Sequence, residues 1–136
     1  MKQFTTRSTE ETEALGETLA RGLAPGAVVA LSGGLGAGKT AFVRGLARGL
    51  GVSGIICSPT YTIVHEYPGL VHFDMYRIGS SEDLESTGFF DYLGQDSVVA
   101  IEWSENISAD LPADALRVHI ASGDTENERR ISVVSD

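Results

Sequence analysis

Lysine is nearly absent from this sequence. Only Lys2 and Lys39 occur, acidic residues number 19, and the formal net charge is −9. Gripping nucleic acid needs clustered Lys and Arg at the phosphates, so the chain by itself is not expected to bind RNA or DNA strongly. Cysteine is down to one, Cys57. No internal disulfide can form, which fits a cytoplasmic protein, and in an apolar strand that thiol is expected to act as a small core residue. No apolar run approaches the length of a membrane span, and Met1-Lys2-Gln3-Phe4-Thr5 lacks the apolar core of a signal peptide. Repeats, low-complexity stretches and linkers are missing as well. These exclusions leave 136 residues that read as one domain, 1–136, long enough for a real core.

Glycine, by contrast, is plentiful and concentrated. Gly33-Gly34-Leu35-Gly36-Ala37-Gly38-Lys39-Thr40 fills the spacing G-x-x-x-x-G-K-[ST] of a phosphate-binding P-loop. The apolar run Ala27 to Leu31 before it reads as a buried strand, and Ala41 to Leu50 after it has helical spacing, which supplies the strand–loop–helix context. In such a loop the backbone N–H groups converge on phosphate oxygens at a helix N-terminus. Lys39 would place a charge on the β- and γ-phosphates and the Thr40 hydroxyl would ligate Mg2+. ATP with Mg2+ is the default ligand. The fold class expected is α/β, a three-layer, P-loop NTPase-like mixed sheet flanked by helices.

Before the loop, residues 2–6 read as a short strand. Ser8 with Glu11 fits a capping box for a helix running to about Gly22, with Leu15, Leu19, Gly22 and Leu23 on one face. In the helix after the loop, Gly45 and Gly49 each cost about 1 kcal/mol relative to Ala, so their presence predicts close packing against a neighbouring element. Ile55-Ile56-Cys57 reads as a buried strand. The hydroxyl-rich Ser58-Pro59-Thr60-Tyr61-Thr62 that leaves it either faces the nucleotide or is a Pro-led turn.

Further on, Ile63 to Tyr67 and Leu70 to Tyr76 predict an antiparallel hairpin around Pro68-Gly69. Its second strand alternates apolar Val71, Phe73 and Met75 with His72, Asp74 and Tyr76, a set too reactive for an ordinary solvated face. Ser81 to Glu85 predicts a short acidic helix, and Thr87 to Leu93 a second turn or helix with aromatic anchors. Val98-Val99-Ala100-Ile101-Glu102 has the form of a Walker B strand whose acidic end sits beside Thr40 and the metal. Glu102 there holds Mg2+, directly or through water, or orients the attacking water; a surface Glu at a strand end is the structural alternative. Trp103, Ser104 and Glu105 would lie on the rim of that site. Leu116 to Ala121 and Arg129 to Val134 predict a terminal hairpin.

Several classes lose support. No Asn-Lys-x-Asp string is present for guanine selection. Leu31-Ser32-Gly33-Gly34 resembles a transporter-ATPase signature but overlaps the P-loop itself. A small-molecule P-loop kinase remains the alternative, although little chain is left to build its acceptor pocket and lid; a non-hydrolysing nucleotide sensor is another.

Four segments taken together resemble the TsaE (YjeE) family: Gly-Gly-Leu-Gly-Ala-Gly-Lys-Thr (33–40), Ser-Pro-Thr-Tyr-Thr-Ile (58–63), His-Phe-Asp-Met-Tyr-Arg (72–77) and Ile-Glu-Trp-Ser-Glu (101–105). The likeness extends over nearly the whole chain. It implies an ATPase that serves the threonylcarbamoyl modification of tRNA adenosine 37 together with the partner proteins TsaB and TsaD, without itself modifying RNA. By position, Gly34 to Lys39 would cradle the phosphates, and Thr40 with Glu102 would hold Mg2+. Glu105, Arg130 and a residue near Thr5 to Ser8 would contact ATP, Asp74 would serve hydrolysis, and Trp103 would lie near the nucleotide. Lys39, Asp74 and Glu102 are thus the catalytic candidates.

Overall fold

The computed structural model describes residues 1–34, 38–53, 56 and 63–135. Leu35, Gly36 and Ala37 of the glycine-rich loop, Ile55 and Cys57 of the expected short strand, and the hydroxyl-rich Ser58 to Thr62 lie outside the described residues.

Seven strands among the described residues form one mixed sheet: β1 (Lys2–Thr6), β2 (Val28–Ser32), β3 (Val64–Tyr67), β4 (Leu70–Asp74), β5 (Val98–Glu102), β6 (Leu116–Ser122) and β7 (Arg129–Val134). Their spatial order is β1-β7-β6-β2-β5-β4-β3. β2 runs parallel to β5 and β6, and β4 runs parallel to β5. The outer pairs β1–β7, β6–β7 and β3–β4 are antiparallel. Helices α1 (Thr9–Ala20) and α2 (Lys39–Gly49) cover one face; α3 (Ser81–Ser86), α4 (Phe89–Tyr92) and a 3-10 segment (Ser104–Asp110) cover the other. This is the three-layer α/β architecture expected from the sequence.

The period-2 alternation of strand side chains sorts the core into two halves. Val29, Leu31, Leu70, Val98, Ala100, Val118 and Ile120 face α1 and α2, whereas Val28, Val71, Phe73, Val99 and Ile101 face the other helical layer. Phe89 closes that second half edge-to-face against Phe73, with ring centroids 5.3 Å apart. The same parity puts His72, Asp74 and Glu102 on the α2 face, because His72 pairs with Ala100 and Asp74 with Glu102 in the β4–β5 register. The polar face of β4 is therefore not a solvated surface. It turns under the helix that follows the glycine-rich loop.

Two local details differ from the sequence expectation. β4 stops at Asp74 rather than Tyr76, because the Asp74 side chain takes the Tyr76 N–H (Oδ1···N 2.9 Å) in an Asx turn that ends the ladder. In α1 the fully buried stripe is Thr12, Gly16 and Ala20, with Leu15 and Leu19 only partly buried beside it, and the helix ends at Ala20. The reason is how closely α1 approaches α2. A Cβ on Gly16 would run into the Phe42 carbonyl, one on Gly45 into the Glu13 carbonyl, and one on Gly49 would sit 2.5 Å from the Glu17 carbonyl. Small residues are required where two helix backbones touch, which is the packing that Gly45 and Gly49 foretold. Glu13 sits at this crossing and binds Arg44 and Arg48 of α2, each at 2.9 Å, and the Arg44 hydrogen bond holds its carboxyl below the usual carboxylate range. The Ser8 cap forms, with Ser8 Oγ accepting from Glu11 N, while Glu11 reaches back one residue further than a capping box requires, its Oε1 accepting from Arg7 N.

Candidate active site

Parallel strands end in a crevice where the chain leaves the sheet, and ligands of α/β sheets bind there. At this edge β2 ends in Ser32-Gly33, β4 in Asp74 and β5 in Glu102, with α2 starting at Lys39 directly above. Gly38 caps α2 with φ at 99°, a left-handed conformation that favours glycine, and, lacking a side chain, it makes no capping hydrogen bond to the helix's first N–H groups. A helix mouth left open in this way suits an anion.

The side chains converge tightly. Thr40 Oγ1 donates to the Glu102 carboxylate, at 3.0 Å from Oε2 and 3.2 Å from Oε1. His72 Nε2 lies 2.6 Å from the same Oε2. Glu102 is only 4 % exposed, so it is no surface carboxylate. Lys39 is 5 % exposed; its ammonium donates to the Gly33 carbonyl and, at 3.3 Å, to that of Gly34. It also sits 3.6 Å from the centroid of the Trp103 ring, a cation–π contact. Burial pushes the Lys39 pKa below its ordinary value, and the nearby carboxylates of Glu105, Glu102 and Asp74 act against that shift. Glu105 Oε2 accepts from Gly33 N at 3.3 Å.

Trp103 is the one non-glycine residue with positive φ among those described (58°). A left-handed backbone costs an ordinary residue roughly 1–2 kcal/mol, and here it lets the chain turn off β5 with the indole over Lys39. Tyr76 packs on that indole at 4.9 Å between centroids, bracing the ring that lies over the lysine.

A triphosphate entering this crevice would meet three carboxylates and one ammonium, a balance that calls for a cation. The donor set fits Mg2+: a hydroxyl and a carboxylate are hard oxygen ligands, and Mg2+ uses one or two protein oxygens while water and phosphates complete its shell. Among the described residues no group of three His, Cys, Asp or Glu forms an all-protein metal cage.

Of the expected site residues, Gly33, Gly34, Gly38, Lys39, Thr40, Asp74, Glu102, Trp103 and Glu105 meet at this edge. Leu35, Gly36 and Ala37 fall outside the described residues. A separate pocket beside Gly38 is lined by Ser8, Thr12, Asn127 and Arg129. The structure brings Ser8 there but not Thr5, and Arg129 rather than Arg130. In the β1–β7 register Thr6 pairs with Arg129 and Thr5 with Arg130, so the two pairs point to opposite faces of the sheet. Thr6 is buried against Thr12 (2.7 Å), while Arg130 reaches Asp124 at 2.9 Å on the exposed side. Sequence reasoning weighed His72 only as part of a polar face; its partner Glu102 lies 30 positions away and could be found only through strand register.

The fold and this edge define an α/β domain of the P-loop NTPase type. A sequence profile described as "Threonylcarbamoyl adenosine biosynthesis protein TsaE" matches residues 6–131. Proteins named "tRNA threonylcarbamoyladenosine biosynthesis protein TsaE" are similar in sequence. The one from Bacillus subtilis is 38 % identical over all of this chain and 89 % of its own length. The one from Streptomyces coelicolor is 44 % identical over 85 % of this chain and 84 % of its own. The crystal structure of Bacillus subtilis YdiB superposes with a TM-score of 0.83 at 33 % identity, covering 98 % of this chain and 84 % of that one. The chain belongs to the TsaE family.

Proposed function

We propose that this chain binds and hydrolyses ATP with Mg2+ and thereby supports formation of the N6-threonylcarbamoyl group on adenosine 37 of tRNA by acting on a complex of TsaB and TsaD. The observation that carries the ATPase reading is the contact between Thr40 at the start of α2 and the buried Glu102 at the end of β5, with Asp74 register-paired beside it. Family membership supports the pathway, and the net charge of −9 agrees with a protein that leaves the tRNA to its partners.

In this reading Lys39 exchanges the Gly33 and Gly34 carbonyls for phosphate oxygens, and the N–H groups at the mouth of α2, which Gly38 does not cap, face the same charge. Thr40 and Glu102 hold Mg2+, which when bound neutralises charge on the β- and γ-phosphates. Asp74 or Glu102 orients the water that attacks the γ-phosphorus in line as the bond to the β-phosphate oxygen breaks. Trp103, braced by Tyr76, lies over the lysine and limits access of bulk water to it. The polar side chains of Ser8, Thr12, Asn127 and Arg129 beside Gly38 are the groups nearest the loop that the nucleoside end could meet.

Incubation with ATP labelled at the γ-phosphorus tests the reaction class. The label is expected as inorganic phosphate; label in a phosphorylated small molecule would establish the kinase alternative, and bound, uncleaved ATP in the presence of TsaB and TsaD would establish a nucleotide sensor.

A further inference from the structure

The His72 imidazole has no place in the phosphate or water chemistry above, yet it is fully buried on the α2 face of β4 between Leu70 and Asp74. An aliphatic side chain there would continue the core that Leu70 begins. Instead Nε2 lies 2.6 Å from Glu102 Oε2, and Nδ1 has no hydrogen-bond partner among the described residues. A bond to a carboxylate requires the proton on Nε2, and this partner fixes the tautomer. An imidazole nitrogen unmatched among the described residues is unfavourable to bury, and the bond from Nε2 to Glu102 is the contact that offsets this cost. The carboxylate of Glu102 is thereby clamped from two sides, by Thr40 Oγ1 at the mouth of α2 and by His72 from beneath.

We propose that His72 is a positioning residue that holds the Glu102 carboxylate in the orientation that receives the metal of the metal–nucleotide complex. The inference rests on the ATPase reading and adds a supporting residue to it. Groups that orient a metal ligand from behind commonly set metal affinity by 10–100-fold without touching the ion.

The test exploits Trp103, the single tryptophan, whose place over Lys39 makes its fluorescence the expected reporter of a nucleotide that displaces the lysine. Affinity for a non-hydrolysable ATP analogue is measured with and without Mn2+ in the wild-type chain and in His72→Gln, His72→Asn and His72→Leu. Gln can place an amide N–H near the position of Nε2, whereas Asn falls short and Leu has no donor. The wild-type chain is expected to bind the analogue more tightly with Mn2+, and His72→Gln to keep that gain within about threefold. In His72→Asn and His72→Leu the gain is expected to fall about tenfold or more, with metal-free affinity unchanged. A wild-type gain preserved in Asn and Leu variants would overturn the inference, as would equal losses in Gln and Leu. Loss of the fold in all three would also overturn it, by making His72 a core residue alone. A wild-type chain with no Mn2+ dependence would instead defeat the ATPase reading itself.

Discussion

Lys39→Ala is expected to lower ATP hydrolysis by at least about 100-fold while the chain stays folded, because deleting one preorganised charge at a developing anion commonly costs 10²–10³ in turnover. The surroundings of Lys39 explain why no other group would substitute. The sequence has one other lysine, Lys2, on the outermost strand β1. Removal would leave Asp74, Glu102 and Glu105 facing an incoming triphosphate without their ammonium counter-charge. The fold should survive because alanine is a strong helix former and the position opens α2 at the mouth of the crevice, away from its packed middle. Phosphate release and the thermal midpoint, measured on the same preparation, check both halves. Thr40→Ala is expected to behave likewise, through loss of the hydroxyl that meets Glu102. Undiminished hydrolysis in both variants would exclude this edge as the active site.

Gly45→Ala is expected to produce the largest loss of stability from a single methyl group. Its Cβ would overlap the Glu13 carbonyl and lie 2.8 Å from that carbonyl carbon, both backbone atoms of α1 that cannot swing aside. Forcing atoms into a well-packed contact costs about 1–3 kcal/mol, sometimes more, against a propensity gain of about 1 kcal/mol for Ala over Gly. With backbone rather than side chain in the way, the overlap wins. Gly22→Ala is the control, since the nearest atom to its Cβ would be 3.7 Å away. Chemical denaturation should show the Gly45 variant less stable by up to roughly 2 kcal/mol, the overlap cost less the propensity gain, and the control close to wild type. Equal stability of the two would mean that α1 and α2 are not in backbone contact.

These two predictions mark what could be read directly in the sequence. The strand before the glycine-rich loop, the helix after it, the β3–β4 hairpin and the acidic end of β5 all follow from local period and punctuation, and each forms. Gly45 and Gly49 gave notice of a close contact because glycine inside a helix needs a reason. What sequence alone could not supply is parity and register. β1 pairs with β7, more than 120 residues later, and that pairing alone decides that Thr6 and Arg129 look toward α1 and α2 while Thr5 and Arg130 look away. A shift of one residue along a strand reverses the face, so two adjacent arginines cannot be told apart by composition. The His72–Glu102 contact has the same origin. It exists because β4 lies parallel and adjacent to β5. The left-handed turn at Trp103 and the 3-10 segment after it carry no glycine or proline to announce them.

With Gly33, Gly34 and Trp103 as its partners, Lys39 has to leave the two carbonyls before it meets a phosphate, which suits an ATPase that is slow by itself. The reading proposed above places its acceleration in the assembly with TsaB and TsaD. The most direct measurement is therefore the rate of phosphate release from ATP by the purified chain, alone and after addition of TsaB and TsaD. The account predicts slow release by the chain alone and clearly faster release in the assembly, abolished in both cases by Lys39→Ala. Equal rates with and without the partners would contradict it.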